Sequence, residues 1–71
     1  MNVTIQQAEK ILKGNQTFSQ FGFSMLVTRL KTVYLNDPSP VTVKNCADEI
    51  NGFLNKYYRI MDSDYEIISK L

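Results

Sequence analysis

The sequence predicts an all-α domain, a small up-and-down bundle of three helices with a short C-terminal fourth. Three observations carry that expectation. Apolar residues recur at i, i+3, i+4 and i+7 in the long segments, so each segment offers a side to a core. The segments are separated by runs of breaker and turn residues, Gly14-Asn15-Gln16, Asn36-Asp37-Pro38-Ser39-Pro40 and Asp62-Ser63-Asp64. Tyr65 to Ile68, which also reads as a strand, would have no evident partner.

The first helix is expected from about Ile5 to Lys13. Thr4 and Gln7 have the spacing of a capping box, and Ile5, Ala8, Ile11 and Leu12 fall on one side. Lys10 and Lys13 suit the negative end of the helix dipole, and Gly14 can stop the helix in the left-handed conformation. The connection is then short, so the next element folds back against the first.

A second helix is expected from near Thr17, whose hydroxyl can cap it, to about Leu35. Its apolar residues form two stripes. Phe23, Leu26, Val27, Leu30, Val33 and Tyr34 follow the rule for a core face, whereas Phe18, Phe21 and Met25 lie almost opposite. Either Phe18 and Phe21 tuck under the first helix, or Phe18, Phe21 and Met25, flanked by Thr28, Arg29 and Thr32, form a patch that another chain covers.

After the proline corner, Val41 or Thr42 opens the strongest element, Thr42 to Met61. Val43, Cys46, Ala47, Ile50, Phe53, Leu54, Tyr57, Tyr58, Ile60 and Met61 share one side of it. Asp48 and Glu49 in its first half and Lys56 and Arg59 in its second suit the helix dipole. Ser63 and Glu66 suggest a second capping box for the closing helix, with Tyr65, Ile68 and Leu71 on one side. The expected core is Leu12, Phe23, Leu26, Leu30, Ile50, Leu54 and Tyr57.

Composition narrows the function. A chain of 71 residues buries only about 60% of its unfolded surface, which leaves little room for a deep catalytic cleft. One cysteine closes no intrachain disulfide, and without histidine there is no set of soft ligands for structural zinc. No metal or cofactor is therefore expected, and a partner chain is the remaining supplement to a small core. The formal charge of +1 gives no strong field toward nucleic acid or anionic lipid. Met1 is followed by no basic leader with an apolar run, and no stretch reaches membrane-spanning length, so the expected location is the cytoplasm. The Asn2-Val3-Thr4 and Asn15-Gln16-Thr17 tripeptides match a glycosylation signal that such a protein would not use.

Catalytic motifs are equally sparse. Cys46 sits on an apolar stripe with no histidine to activate it, which reads as packing. Asp62, Asp64 and Glu66 alternate as at the start of a calcium loop, but Ile67 occupies the position that needs glycine, so they read as acids at a helix start. Gly14, Gly22 and Gly52 are isolated and form no phosphate loop. No enzyme activity is expected.

Asn51-Gly52 is a poor pair within a helix, glycine alone costing about 1 kcal/mol relative to alanine. If the chain turned there, the segment resembles the helix-turn-helix of bacterial DNA-binding proteins: Ala47 matches the small residue at the crossing, Ile50 the apolar residue before the turn, Asn51 the turn position, and Tyr57 and Ile60 buried positions of the second helix. The resemblance implies a second helix in the major groove, with Asn55, Lys56 and Arg59 reaching bases or phosphates. It departs from the family at Gly52, where an apolar residue is usual, and at Phe53, where a cap is usual. The unbroken stripe from Val43 through Leu54 favours one continuous helix instead.

Two functions follow from these readings. The first is a non-enzymatic interaction module, homodimeric, whose surface is Phe18, Phe21, Met25 and Arg29. The second is a small DNA-binding regulator using Asn55, Lys56 and Arg59.

Overall fold

The computed structural model of the chain describes residues 2–56 and 60–71. Its first helix, α1, spans Ile5–Lys13 and is opened by the predicted reciprocal cap, in which Gln7 N–H donates to the Thr4 hydroxyl and Thr4 N–H to the Gln7 carboxamide. At its end Gly14 does not take the expected left-handed conformation. Its φ of −88° and ψ of −179° are extended, and no described residue has a positive φ. A Cβ on Gly14 would first meet the end of the Gln16 side chain, which is flexible enough to move aside.

The second helix, α2, spans Phe21–Asn36, so the expected start near Thr17 is four residues early. The chain from 14 to 20 is a connection, and Asp64 explains why it stays one. Ser19 N–H donates to Asp64 Oδ1 at 2.7 Å and Gln20 N–H to Oδ2 at 2.8 Å, while the Gln20 carboxamide accepts from Phe23 N–H. The amides that precede α2 are thereby held by a carboxylate rather than by another turn of helix. Phe18 consequently leaves the helix surface and enters the core, its ring edge-on to Phe23 at 4.9 Å.

Ser39 caps the third helix, α3, which spans Pro40–Leu54, and Pro40 takes the first helical position, where its missing N–H costs nothing. The expected start at Val41 or Thr42 is thus slightly late. Thr42, buried at the corner, donates to Asp37 Oδ2 at 3.0 Å and receives no water face of its own. The helix runs without a break through Asn51 and Gly52 but stops at Leu54, with Asn55 as its cap, well short of the expected Met61. Its first and last turns therefore hold no acidic or basic residues respectively, contrary to the expected dipole arrangement; Asp48 and Glu49 lie mid-helix and pair with Lys44 and Arg29.

The closing helix, α4, spans Asp62–Ser69. Met61 precedes it and no side chain caps it, so Ser63 and Glu66 do not form the expected box; Glu66 pairs with Lys70 instead. Asp64 cannot serve its own helix start because it is turned inward onto the α2 connection.

Among the described residues there are four helices and no strand, and α1, α2 and α3 pack against one another in pairs as an up-and-down bundle. Ala8, Ile11, Phe23, Leu30, Ile50 and Ile68 are completely buried at its centre, with Leu12 and Leu54 nearly so. Leu26 only packs against the edge of this core, and Val33, expected inside, is 41% exposed. With 9 residues against 16, α1 is too short to cover the whole length of α2. Tyr57, the remaining expected core residue, lies outside the described residues, as do Tyr58 and Arg59.

Candidate functional site

The bundle leaves one side of α2 and α3 open. At 100° per residue, the positions of α2 pass outward from the core in the order Leu26, Gly22, Arg29, Met25 and Phe21. Leu26 and Gly22 face α3: a Cβ on Gly22 would come within 3.4 Å of the Phe53 ring. Across from them stand Glu49, Gly52 and Phe53 of α3, spaced i, i+3 and i+4 on one side of the helix, and Lys56, which follows the Asn55 cap. Leu26, Glu49, Gly52, Phe53 and Lys56 line an open groove of about 320 Å³. Its floor is apolar, since Phe53 is half-buried and its ring lies 5.6 Å from that of Phe23. The open wall is Gly52, where an added Cβ would meet nothing within 4 Å.

The outer side of α2 carries an apolar ridge. Phe21 is 76% exposed and Met25 58%, one turn apart on α2. Arg29, one turn further, donates from Nη2 to Glu49 Oε1 at 2.7 Å, tying the two helices together at one end of the groove. Both partners are about half exposed, so this pair contributes about 0–1 kcal/mol and acts mainly to position Glu49. Phe21, Met25 and Arg29 thus share one side as the sequence suggested, whereas Phe18 is buried and separate from them.

No family model, curated protein or solved structure matches this chain. What it does is therefore argued from its own geometry.

The DNA-binding reading names Asn55, Lys56 and Arg59. The turn on which it depends is absent, because α3 is continuous through Asn51 and Gly52. Asn55 is spent as the α3 cap, its amide donating to Asn51 O at 2.8 Å and to the Asn2 side chain, while Lys56 borders the groove and Arg59 lies outside the described residues.

Burial pushes the Cys46 thiol above its ordinary range, the nearby Glu49 carboxylate pushes it the same way, and Arg29 opposes them. At neutral pH it is a protonated, buried thiol. Among the described residues no three metal-ligating side chains converge, and no helix is long and apolar enough to cross a membrane.

Sequence reasoning missed two polar side chains that organise the molecule. Asn51, which looked like a poor helix residue, accepts from Val3 N–H at 2.6 Å and donates to Val3 O at 3.1 Å, pairing with the N-terminal segment much as a neighbouring strand would. Asp64 is the other. Asn51 sits where local propensity argues against it, and that misfit was the available signal; Asp64 gave none, because an acid in the first turn of a helix is locally favoured.

Proposed function

We infer that this chain is a non-enzymatic protein–protein interaction module that associates with a second copy of itself. The observation that carries the reading is the pair Phe21 and Met25, large apolar side chains held adjacent on the outer side of α2 with most of their surface in water. Isolated exposed apolar residues need no explanation, but an aromatic and a methionine one turn apart on the exposed side of a helix have the composition of an interface centre. The groove offers a poor fit to a small substrate, since it is open and Glu49 and Lys56 are the only charged side chains among its described lining. A formal charge of +1 leaves two copies free of strong mutual repulsion.

Sedimentation equilibrium tests the reading. The wild type is expected to dimerise with rising concentration, and the double variant Phe21→Ser/Met25→Ser to remain monomeric with an unchanged helical circular dichroism spectrum, because neither side chain belongs to the core. A wild-type chain that stays monomeric at several hundred micromolar would remove the basis for self-association.

A further inference from the structure

We propose that Asp64 is a latch that holds α2 in a shortened form, and that its withdrawal lets α2 grow back to Thr17 and carries Phe18 out of the core onto the side that holds Phe21 and Met25. The start of α2 has two competing sets of partners. In the structure the Ser19 and Gln20 amides donate to the two oxygens of Asp64, at 2.7 and 2.8 Å, and among the described residues they have no other acceptor. The Gln20 carboxamide turns forward, onto Phe23 N–H. Yet Thr17-Phe18-Ser19-Gln20 has the spacing of a capping box, with Thr17 as the cap and Gln20 as its partner. In that arrangement the Thr17 hydroxyl accepts from the Gln20 amide and the Gln20 carboxamide turns back to the Thr17 N–H. The Phe21 and Gly22 amides then find the Thr17 and Phe18 carbonyls. Residues 14–16 remain as the connection, within the range of about 2–8 residues usual between packed helices.

What decides between the two forms is α4. It has 8 residues and no side-chain cap, too short to hold itself as a helix in water. The helices α1, α2 and α3 pack in pairs, and α4 makes no comparable pairing with any of them. Its buried anchors are Ile68 and Asp64 itself, supplemented at the exposed end by Lys10 Nζ, which donates to Leu71 O at 2.6 Å. An element tied at so few points opens locally at a lower cost than the whole bundle. When Asp64 leaves, the Ser19 and Gln20 amides lose their acceptor, and the longer helix gives the Gln20 amide a new one. Phe18, Phe21 and Met25 then stand at i, i+3 and i+7 on one side of α2, so a third apolar side chain joins the exposed pair. Burial of Phe18 against Phe23, edge-on at 4.9 Å, opposes this and keeps the shortened form dominant while the latch is closed.

NMR on the full chain tests the latch, at a concentration where the chain is monomeric, so that the outcome does not depend on self-association. In Asp64→Ala the Cα and carbonyl carbon shifts of Phe18, Ser19 and Gln20 are expected to move to helical values, and the contacts between the Phe18 and Phe23 rings to disappear. Adding Phe21→Pro is expected to abolish the helical shifts. The Gln20 ψ of 123° already suits a residue before proline, and proline suits the first position of the short helix, but it lacks the N–H that the longer helix bonds to Thr17 O. Extended or coil-like shifts in Asp64→Ala overturn the proposal, since the connection would then loosen without re-forming as helix. Helical shifts that survive Phe21→Pro overturn it too. If Asp64→Ala does not fold, Asp64→Asn, which keeps one acceptor, takes its place. Chemical exchange saturation transfer on that variant is expected to reveal a minor form with helical shifts at 18–20, and its absence overturns the latch.

Discussion

Replacing Gly52 by alanine is expected to stabilise the chain, and the sign of the effect tests the continuity of α3. Gly52 lies within the helix, two residues before Leu54, with a negative φ and no atom within 4 Å of a built Cβ. Alanine there introduces no clash and removes the extra freedom that glycine gives the unfolded chain. The full difference in a helix interior is about 0.8–1.0 kcal/mol, and so near the C-terminal end a gain of about 0.5–1 kcal/mol is expected. For 71 residues the unfolding entropy is about 0.15 kcal/mol/K, so Tm rises by about 3–7 °C. The assay is thermal unfolding followed by circular dichroism, run dilute enough that the wild type is monomeric, because self-association raises Tm by mass action. An alanine variant that melts below the wild type would mean that Gly52 occupies a left-handed conformation, and the argument for an unbroken α3 would fail.

Three further outcomes follow from the polar and thiol groups. Asn51→Ala removes both bonds to Val3 and is expected to cost about 1–2 kcal/mol net, part of the loss being offset by alanine's better helix propensity; amide exchange at Val3 is expected to accelerate more than at Leu30, and equal acceleration would argue against a local tether. Asp64→Asn leaves one acceptor for the Ser19 and Gln20 amides and is expected to lower stability by about 1–3 kcal/mol in urea titrations, so a neutral result would contradict the assignment. The Cys46 thiol is raised above 9.0 by burial. Its contribution is fully present below the unfolded value and is lost as pH rises through the higher folded one. Wild-type stability is therefore expected to fall above about pH 9 more steeply than that of Cys46→Ala, and parallel pH profiles would refute the assignment.

The elements that sequence located best are those whose causes are local. Thr4 and Gln7 fix the start of α1, and the stripe from Val43 to Leu54 fixes the body of α3, because capping and helical periodicity act over a few residues. The start of α2 was misplaced for the opposite reason. Phe18 has the spacing to continue the helix, but Asp64, distant in sequence, holds the Ser19 and Gln20 amides and sends Phe18 inward. Phe21 and Met25 were recognisable as exposed because they oppose a well-defined core face on their own helix. The groove was not, since Gly52 lacks a side chain to fill it and only the pairing of α2 with α3 reveals that space. Arg29 was expected to flank the ridge, but its tie to Glu49 likewise needed the second helix.

The tethers at Asn51 and Asp64 also bear on how long the folded state persists. Asn51 reaches Val3 across 48 residues, and Asp64 reaches Ser19 and Gln20 across 45 and 44. A bond spanning so much chain gains nothing until α1, α2 and α3 have already docked, because the loop it closes must first be ordered. Such contacts are expected to form after the folding barrier, and so to leave the refolding rate nearly unchanged while slowing escape from the native state. In this small bundle the apolar residues drive collapse, and two hydrogen-bonding side chains, Asn51 and the fully buried Asp64, are expected to set its lifetime once it has collapsed.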